Sequence, residues 1–356
     1  MKNLRLMAGI LAVSLIASSG SFAKSYHFDY QKNIDVSGEI ELLISNTSGL
    51  IEVTGEPVER VTINATKHVR ATDLDEAEEV ADHIEIKVEK RGDRIIIETH
   101  YLKMVGRADS FWEKLLGAGP DSYGSVDYHV IVPSNFEVDI ENVSGDVYLS
   151  KLYGDMMVSG SSGDFNLNDI EGRVDIETAS GDIELTDIKG DVDISATSAD
   201  ISINSIVGAV DIRSTSGNIT GGYVMGPFSI SQTSGDSKLT DISGDVRIKS
   251  TSGDIEIGQE SGCVEISTSS GDVKVKTELD SSRDFFVETS SGRVEFMVPE
   301  TSSGFVRLET SSGSINTDLP VSINQFSRSK ITGSFGEGGP RIYLLTTSGD
   351  IRIGNF

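Results

Sequence analysis

From Gly145 to Gly271 the chain returns to a small residue every nine positions, and fourteen of the fifteen are glycine, with Ala199 the one departure. A fixed step of this kind marks a repeat architecture and constrains the fold more than any other feature. Two residues after each of these positions stands an apolar residue, Ser237 excepted, and four residues after stands another, Gly221 excepted. The residue between them is mostly polar. Apolar, polar, apolar is the period of a strand with one buried face. Each nonamer is therefore one short strand plus a turn, whose glycine supplies a backbone angle or a close approach that other residues resist.

The full period is eighteen. Serine precedes every second position of the series, from Ser144 through Ser162 and Ser180 to Ser270. Seven residues after these serine-preceded positions stands a large aliphatic: Leu152, Ile170, Ile188, Ile206, Val224 and Ile242, a column that Glu260 ends. The matching point of the alternate half holds a small residue, as at Ser161, Ala179, Thr197 and Thr215. Two strands and two unlike turns make one coil, with like residues above like. The pattern predicts an all-β, right-handed parallel β-helix, or solenoid, of about 18 residues per coil. At about 4.8 Å per coil, roughly eleven coils up to Gly349 give a rod on the order of 55 Å.

Other stretches vary this scheme. The step loosens to 21 at Gly292 and Gly313, and the chain closes on "TTSGDIRIGNF". Residues 24–65 supply the first solenoid strands. Residues 66–132 are expected to form a small α+β capping insertion, because open solenoid ends expose unpaired edges. Within it Thr72 is expected to cap a short helix with Leu74, Ala77, Ala81 and Ile84 on one face. "RGD" at 91–93 fits a hairpin turn better than a recognition motif. Residues 133–356 form the repeat domain.

The first 23 residues carry Lys2 and Arg5, an apolar run from Leu6 to Ile16 and "SFA" before the cut, as in a signal peptide. They predict export, to the periplasm or the cell surface, with no transmembrane segment after cleavage. Lys plus Arg total 30 against 56 Asp plus Glu, a formal charge of −26. Such a field disfavours nucleic acid as a partner. Cys263 is the only cysteine, so no internal disulfide forms.

The stretch "VDYHVIVPSNFEVDIENVSGDVYL", the repeated "TSSGDI" and the closing "TTSGDIRI" resemble the bacterial putative-adhesin family of β-solenoids of unknown function. The resemblance spans residues 36–356. It implies the solenoid fold and an adhesin-like role, and supplies no catalytic residues.

Aspartate follows the turn position at ten of fifteen sites. Calcium-binding nonapeptide repeats also run eighteen residues per coil, but their signature needs three glycines and a differently placed aspartate. An Asx-type turn contact or a solvated acidic edge explains the row better. A polysaccharide-active β-helix enzyme is the competing class, yet no departure from the columns resembles a catalytic site, and aromatics are sparse over 145–275. The serines form a ladder, and the five histidines (His27, His68, His83, His100 and His129) lie upstream and unclustered. No catalytic residue, metal ligand or cofactor is assigned. Phe111, Trp112, Leu115 and Leu116 give one apolar face at helical spacing, a candidate partner contact. The reading is a non-enzymatic exported solenoid that acts as an adhesin-like or envelope scaffold protein, with a surface glycan or envelope protein as partner.

Overall fold

The computed structural model describes residues 24–38, 40–102, 124–280 and 282–356, which form 31 strands and one helix. The segment read as a signal peptide lies outside these residues. The chain divides into two compact units, Met1–Glu171 and Gly172–Phe356.

In the second unit the repeat builds two parallel sheets. Val174–Ser180, Val192–Ser198, Val210–Ser216, Phe228–Ser234, Val246–Ser252 and Val264–Ser270 follow one another in one sheet. Ile183–Lys189, Ile201–Val207, Ile219–Met225, Ser237–Ser243, Ile255–Ser261 and Val273–Thr277 do so in the other. Equivalent residues are register partners: Ile183 with Ile201, Leu185 with Ile203, and Ile188 with Ile206. All are almost fully buried, so each coil both hydrogen-bonds to the last and adds a layer to the apolar interior.

The two halves of a coil differ because their strands end differently. Lys151, Asp169, Asp187, Ser205, Tyr223 and Asp241 all have φ between 54° and 59°. Each left-handed residue breaks the in-out alternation by one position and drives the following aliphatic, Leu152 through Ile242, to 0% exposure. The other half keeps strict alternation, so its interior position comes one residue earlier than the small residues singled out in the sequence. Ala179, Thr197 and Thr215 lie outside, while Thr178 and Ser214 lie inside. The hydroxyls of Thr178, Ser214 and Thr268 donate to the carbonyls of Ser180, Ser216 and Ser270. These buried polar atoms are thus satisfied by the turn that follows them.

Where Glu260 replaces the aliphatic, nothing rewards the left-handed bend. The pairing register shifts on either side of the pair Ile242 and Gln259, and Gln259 turns inward instead, donating to Gly244 O and Cys263 O and accepting from Thr277.

The last coil is not the outermost. Arg341–Ser348 lies between Phe285–Ser291 and Gly304–Ser312, parallel to both. Ile351–Asn355 lies likewise between Val294–Val298 and Ile315–Thr317. The hairpin Ser322–Ser327 and Lys330–Phe335 covers Gly304–Ser312 antiparallel.

The first unit repeats this device. Glu41–Ser48 lies between Arg94–Tyr101 and Glu137–Ser144, and Ile51–Glu56 between Ser125–Pro133 and Val147–Leu152, all parallel. Antiparallel strands then finish both sheets: Arg60–Ala71 and Lys24–Asp35 on one, Ile84–Arg91 on the other. The hairpin expected at "RGD" is present, with Arg91 opposite Arg94. The helix Leu74–Asp82 is capped by Asp73, whose carboxylate accepts from Glu76 N, and not by Thr72. Thr72 donates to Glu76 instead, which closes the start of the helix from the other side. Ala77, Val80 and Ala81 are the buried helix residues, and Leu74 is exposed.

Candidate functional site

Strand alternation carries every second residue of the last coils to the outer surface. From Gly304–Ser312 these are Phe305, Arg307 and Glu309, and from Arg341–Ser348 they are Arg341, Tyr343 and Leu345. Register sets Phe305 beside Arg341 and Arg307 beside Tyr343, so rings and guanidiniums alternate diagonally. Phe286 pairs with Tyr343 from the next strand, ring centroids 6.4 Å apart. The hairpin contributes Asn324 and Thr332. Phe305, Arg307, Asn324, Thr332, Arg341 and Tyr343 line a cleft of about 360 Å³ in which Phe305 stands 47% exposed.

Glu309 accepts from Arg307 Nε at 2.8 Å and pairs with Lys330 Nζ at 2.6 Å. The hydrogen bond from Arg307, then that from Lys330, holds its carboxyl below the usual range. Among the described residues the Arg341 guanidinium has no carboxylate partner. The aromatics of this cleft lie beyond the strict repeat, where sequence reasoning on the columns does not reach. The signal was Phe286, Phe305 and Tyr343 at outward positions of the loosened coils.

The aspartate rows are architectural. Asp236, Asp254 and Asp272 each use Oδ1 to accept the backbone N–H of the equivalent residue one coil on: Asp254, Asp272 and Arg293, at 2.8–2.9 Å. Asn218 does the same for Asp236 N, so the acceptor oxygen matters and the charge does not. On the other turn Asp191 accepts from Ala209 N and Asp245 from Cys263 N. Ala209 offers no side-chain acceptor, and the next residue in that row, Pro227, has no N–H to satisfy. Among the described residues no group of three or more His, Cys, Asp or Glu is arranged to hold a metal ion.

The family model described as Toastrack DUF4097 matches residues 40–242 and 225–354. This chain belongs to the Toastrack DUF4097 family. No curated protein matches it. Among solved structures, it is similar to a "putative cell adhesion protein" of Clostridium sporogenes at 9% identity, covering 92% of this chain and 100% of that one, TM-score 0.21. It is also similar to "putative adhesins" of Bacteroides fragilis (12%, 92% and 97%, 0.26) and Parabacteroides merdae (9%, 92% and 96%, 0.32).

In this Toastrack chain the other sequence candidates fare unevenly. Phe111, Trp112, Leu115 and Leu116 lie outside the described residues. Cys263 is half-buried; burial first, then the Asp245 carboxylate, pushes its thiol up. Two histidines read as unclustered do meet: His27 and His68, on paired strands, bring their Nδ1 atoms to 2.8 Å, and His68 Nε2 lies 2.7 Å from Asp127. Asp127 also accepts Leu50 N. The group joins the first strand to its neighbour; the ring partner of His68 is a second imidazole rather than a nucleophile. A second cleft, in the first unit, is lined by Glu41, Asp93, Arg94, Glu137 and Tyr153, with Arg94 paired to Glu41.

Proposed function

We propose that this Toastrack chain is an exported, non-enzymatic solenoid that acts as an adhesin-like or scaffold protein of the cell envelope, binding a surface glycan or an envelope protein. The observation that carries this reading is the use of turn-aspartate Oδ1 atoms as acceptors within the stack. The turn aspartates serve as acceptors for neighbouring backbone N–H groups, which ties them to the stack instead of to a substrate. Glu309, which pairs with the cleft residue Arg307, is held ionised by two cations and is unsuited to general acid catalysis. Membership of a family without an assigned reaction agrees with this reading, as does the likeness to structures called adhesins.

The test is fractionation with a C-terminal tag, followed by capture of isolated envelopes by the purified chain with and without residues 102–122. Export with saturable envelope binding supports the proposal. A cytoplasmic location, or turnover of acidic or neutral polysaccharides by the intact chain, overturns it.

A further inference from the structure

The cleft between Phe305, Arg307, Arg341 and Tyr343 has the composition of an anion site built on aromatic walls. The charge of the chain is unevenly spread: residues 281–356 hold 7 Lys plus Arg and 8 Asp plus Glu, net −1, so residues 1–280 carry −25 of the total −26. An anion repelled elsewhere meets an almost neutral end here. Arg307 is steadied through Nε by Glu309, a contact that does not use its terminal nitrogens, and Arg341, without a carboxylate partner for its guanidinium among the described residues, stands beside Phe305. Planar guanidiniums match the two oxygens of a carboxylate better than an ammonium does. Tyr343 and Phe305 supply flat apolar faces, and Asn324 and Thr332 supply amide and hydroxyl groups. At about 360 Å³ the cleft sits near the lower end of ligand sites, which run from roughly 300 to 1,000 Å³.

We infer that this cleft binds a hexuronate residue of an acidic polysaccharide. This rests on the binding role proposed above and gives it a ligand class. The sugar carboxylate pairs with Arg341 or Arg307, the apolar face of the pyranose lies on Tyr343 or Phe305, and ring hydroxyls meet Asn324 and Thr332. An acidic peptide would satisfy the guanidiniums but offers no rigid apolar ring face to the aromatics. A neutral glycan would satisfy the aromatics and leave both cations unused.

The experiment is isothermal titration of the full chain with tetragalacturonate, a neutral galactose tetramer and a tetra-aspartate peptide. Galacturonate should bind and weaken with added salt; the neutral tetramer should bind at least about tenfold more weakly, since a charged hydrogen bond carries that much, and the peptide more weakly too, since it lays no ring face on Tyr343 or Phe305. Arg341→Gln and Tyr343→Ala should each weaken galacturonate binding by about tenfold or more. Arg328→Gln, outside the cleft lining, should leave it unchanged. Thermal melts of the variants verify that they fold. Equal binding of the neutral tetramer or of the peptide overturns the assignment, as does unaltered binding by the folded Arg341 and Tyr343 variants. Envelope capture by a wild-type chain that ignores galacturonate would sink the ligand class and leave the general role standing, whereas loss of both would sink both.

Discussion

Asp272 donates its backbone N–H to Asp254 Oδ1 at 2.8 Å, so each carboxylate in the row holds the residue one coil beyond it. Only the oxygen is needed. Asp254→Asn should therefore leave stability within about 0.5 kcal/mol, and relief of like-charge repulsion could make it positive. Asp254→Ala should cost about 0.5–1.5 kcal/mol, the net value of one hydrogen bond. Urea unfolding of the three proteins distinguishes these. The same geometry predicts unchanged circular dichroism and melting in EDTA; a fall of several degrees on chelation would restore the calcium reading.

The turn glycines are held by close approach as well as by angle. Gly253 has φ +123°, and a Cβ there would lie 2.0 Å from Gly235 O. Gly253→Ala should cost at least about 2 kcal/mol, from backbone strain plus the shift of one turn. Ala199 occupies the same series without a left-handed φ, so Ala199→Gly should cost no more than about 1 kcal/mol through chain entropy. Equal losses at the two sites in chemical denaturation would refute the close-approach account.

The left-handed residue before each buried aliphatic offers a converse test. Asp187 has φ 56° and precedes Ile188. Asp187→Gly should be neutral or stabilising by up to about 1 kcal/mol, whereas Asp187→Val should cost about 1–2 kcal/mol. Ile188→Ala, with the side chain at 0% exposure, should cost about 2–5 kcal/mol. A stabilised Val variant would mean that the bend is not what buries Ile188.

These sites also mark what the sequence could and could not disclose. Period two and period eighteen carried the strands, their parity and the stacking of Ile188 on Ile206, because side-chain alternation and register are properties of the string itself. The left-handed bends were hard to read, since Asp169, Asp187 and Asp241 share the position with Lys151, Ser205 and Tyr223; the displaced aliphatic at the seventh position was the clearer hint. Which small residue of the alternate half faces inward is equally hard to read, as Thr178 and Ala179 are both small and only the parity of the strand chooses between them. Insertion of Arg341–Asn355 between earlier coils left no local trace either, because strand order depends on pairings distant in sequence. The cleft emerged only after that insertion placed Tyr343 beside Arg307.

Acid should weaken the chain at identifiable places. Burial alone would raise the Asp245 carboxyl, but the Cys263 N–H and Arg283 together hold it below the usual range, and Ser314 does so for exposed Asp350. Depressed carboxyls stabilise the fold above their unfolded value, near 3.9, and that contribution disappears as pH falls through the folded value. The melting temperature should thus be flat near neutrality and drop below about pH 4. Arg283→Gln should move the Asp245 titration upward in a carboxylate NMR experiment; an unmoved titration would remove Arg283 from the account.

The inserted final coil makes the order of truncation decisive. Removing residues 341–356 deletes the parallel neighbours of Gly304–Ser312 and Ile315–Thr317 on one side and of Phe285–Ser291 and Val294–Val298 on the other. Ile342, Leu344, Ile351 and Ile353, all at 0% exposure, leave the core with them. Residues 300–340 would then lose the strands they pair with and should become protease-sensitive, although they precede the deletion. Deleting only the hairpin 320–338 with a short linker removes an outer antiparallel cover and should spare the remaining coils. Limited proteolysis with mass spectrometry reads both outcomes. Protection of residues 300–340 in the shorter chain would show that the last strands are an addition to the stack rather than the wedge that completes it.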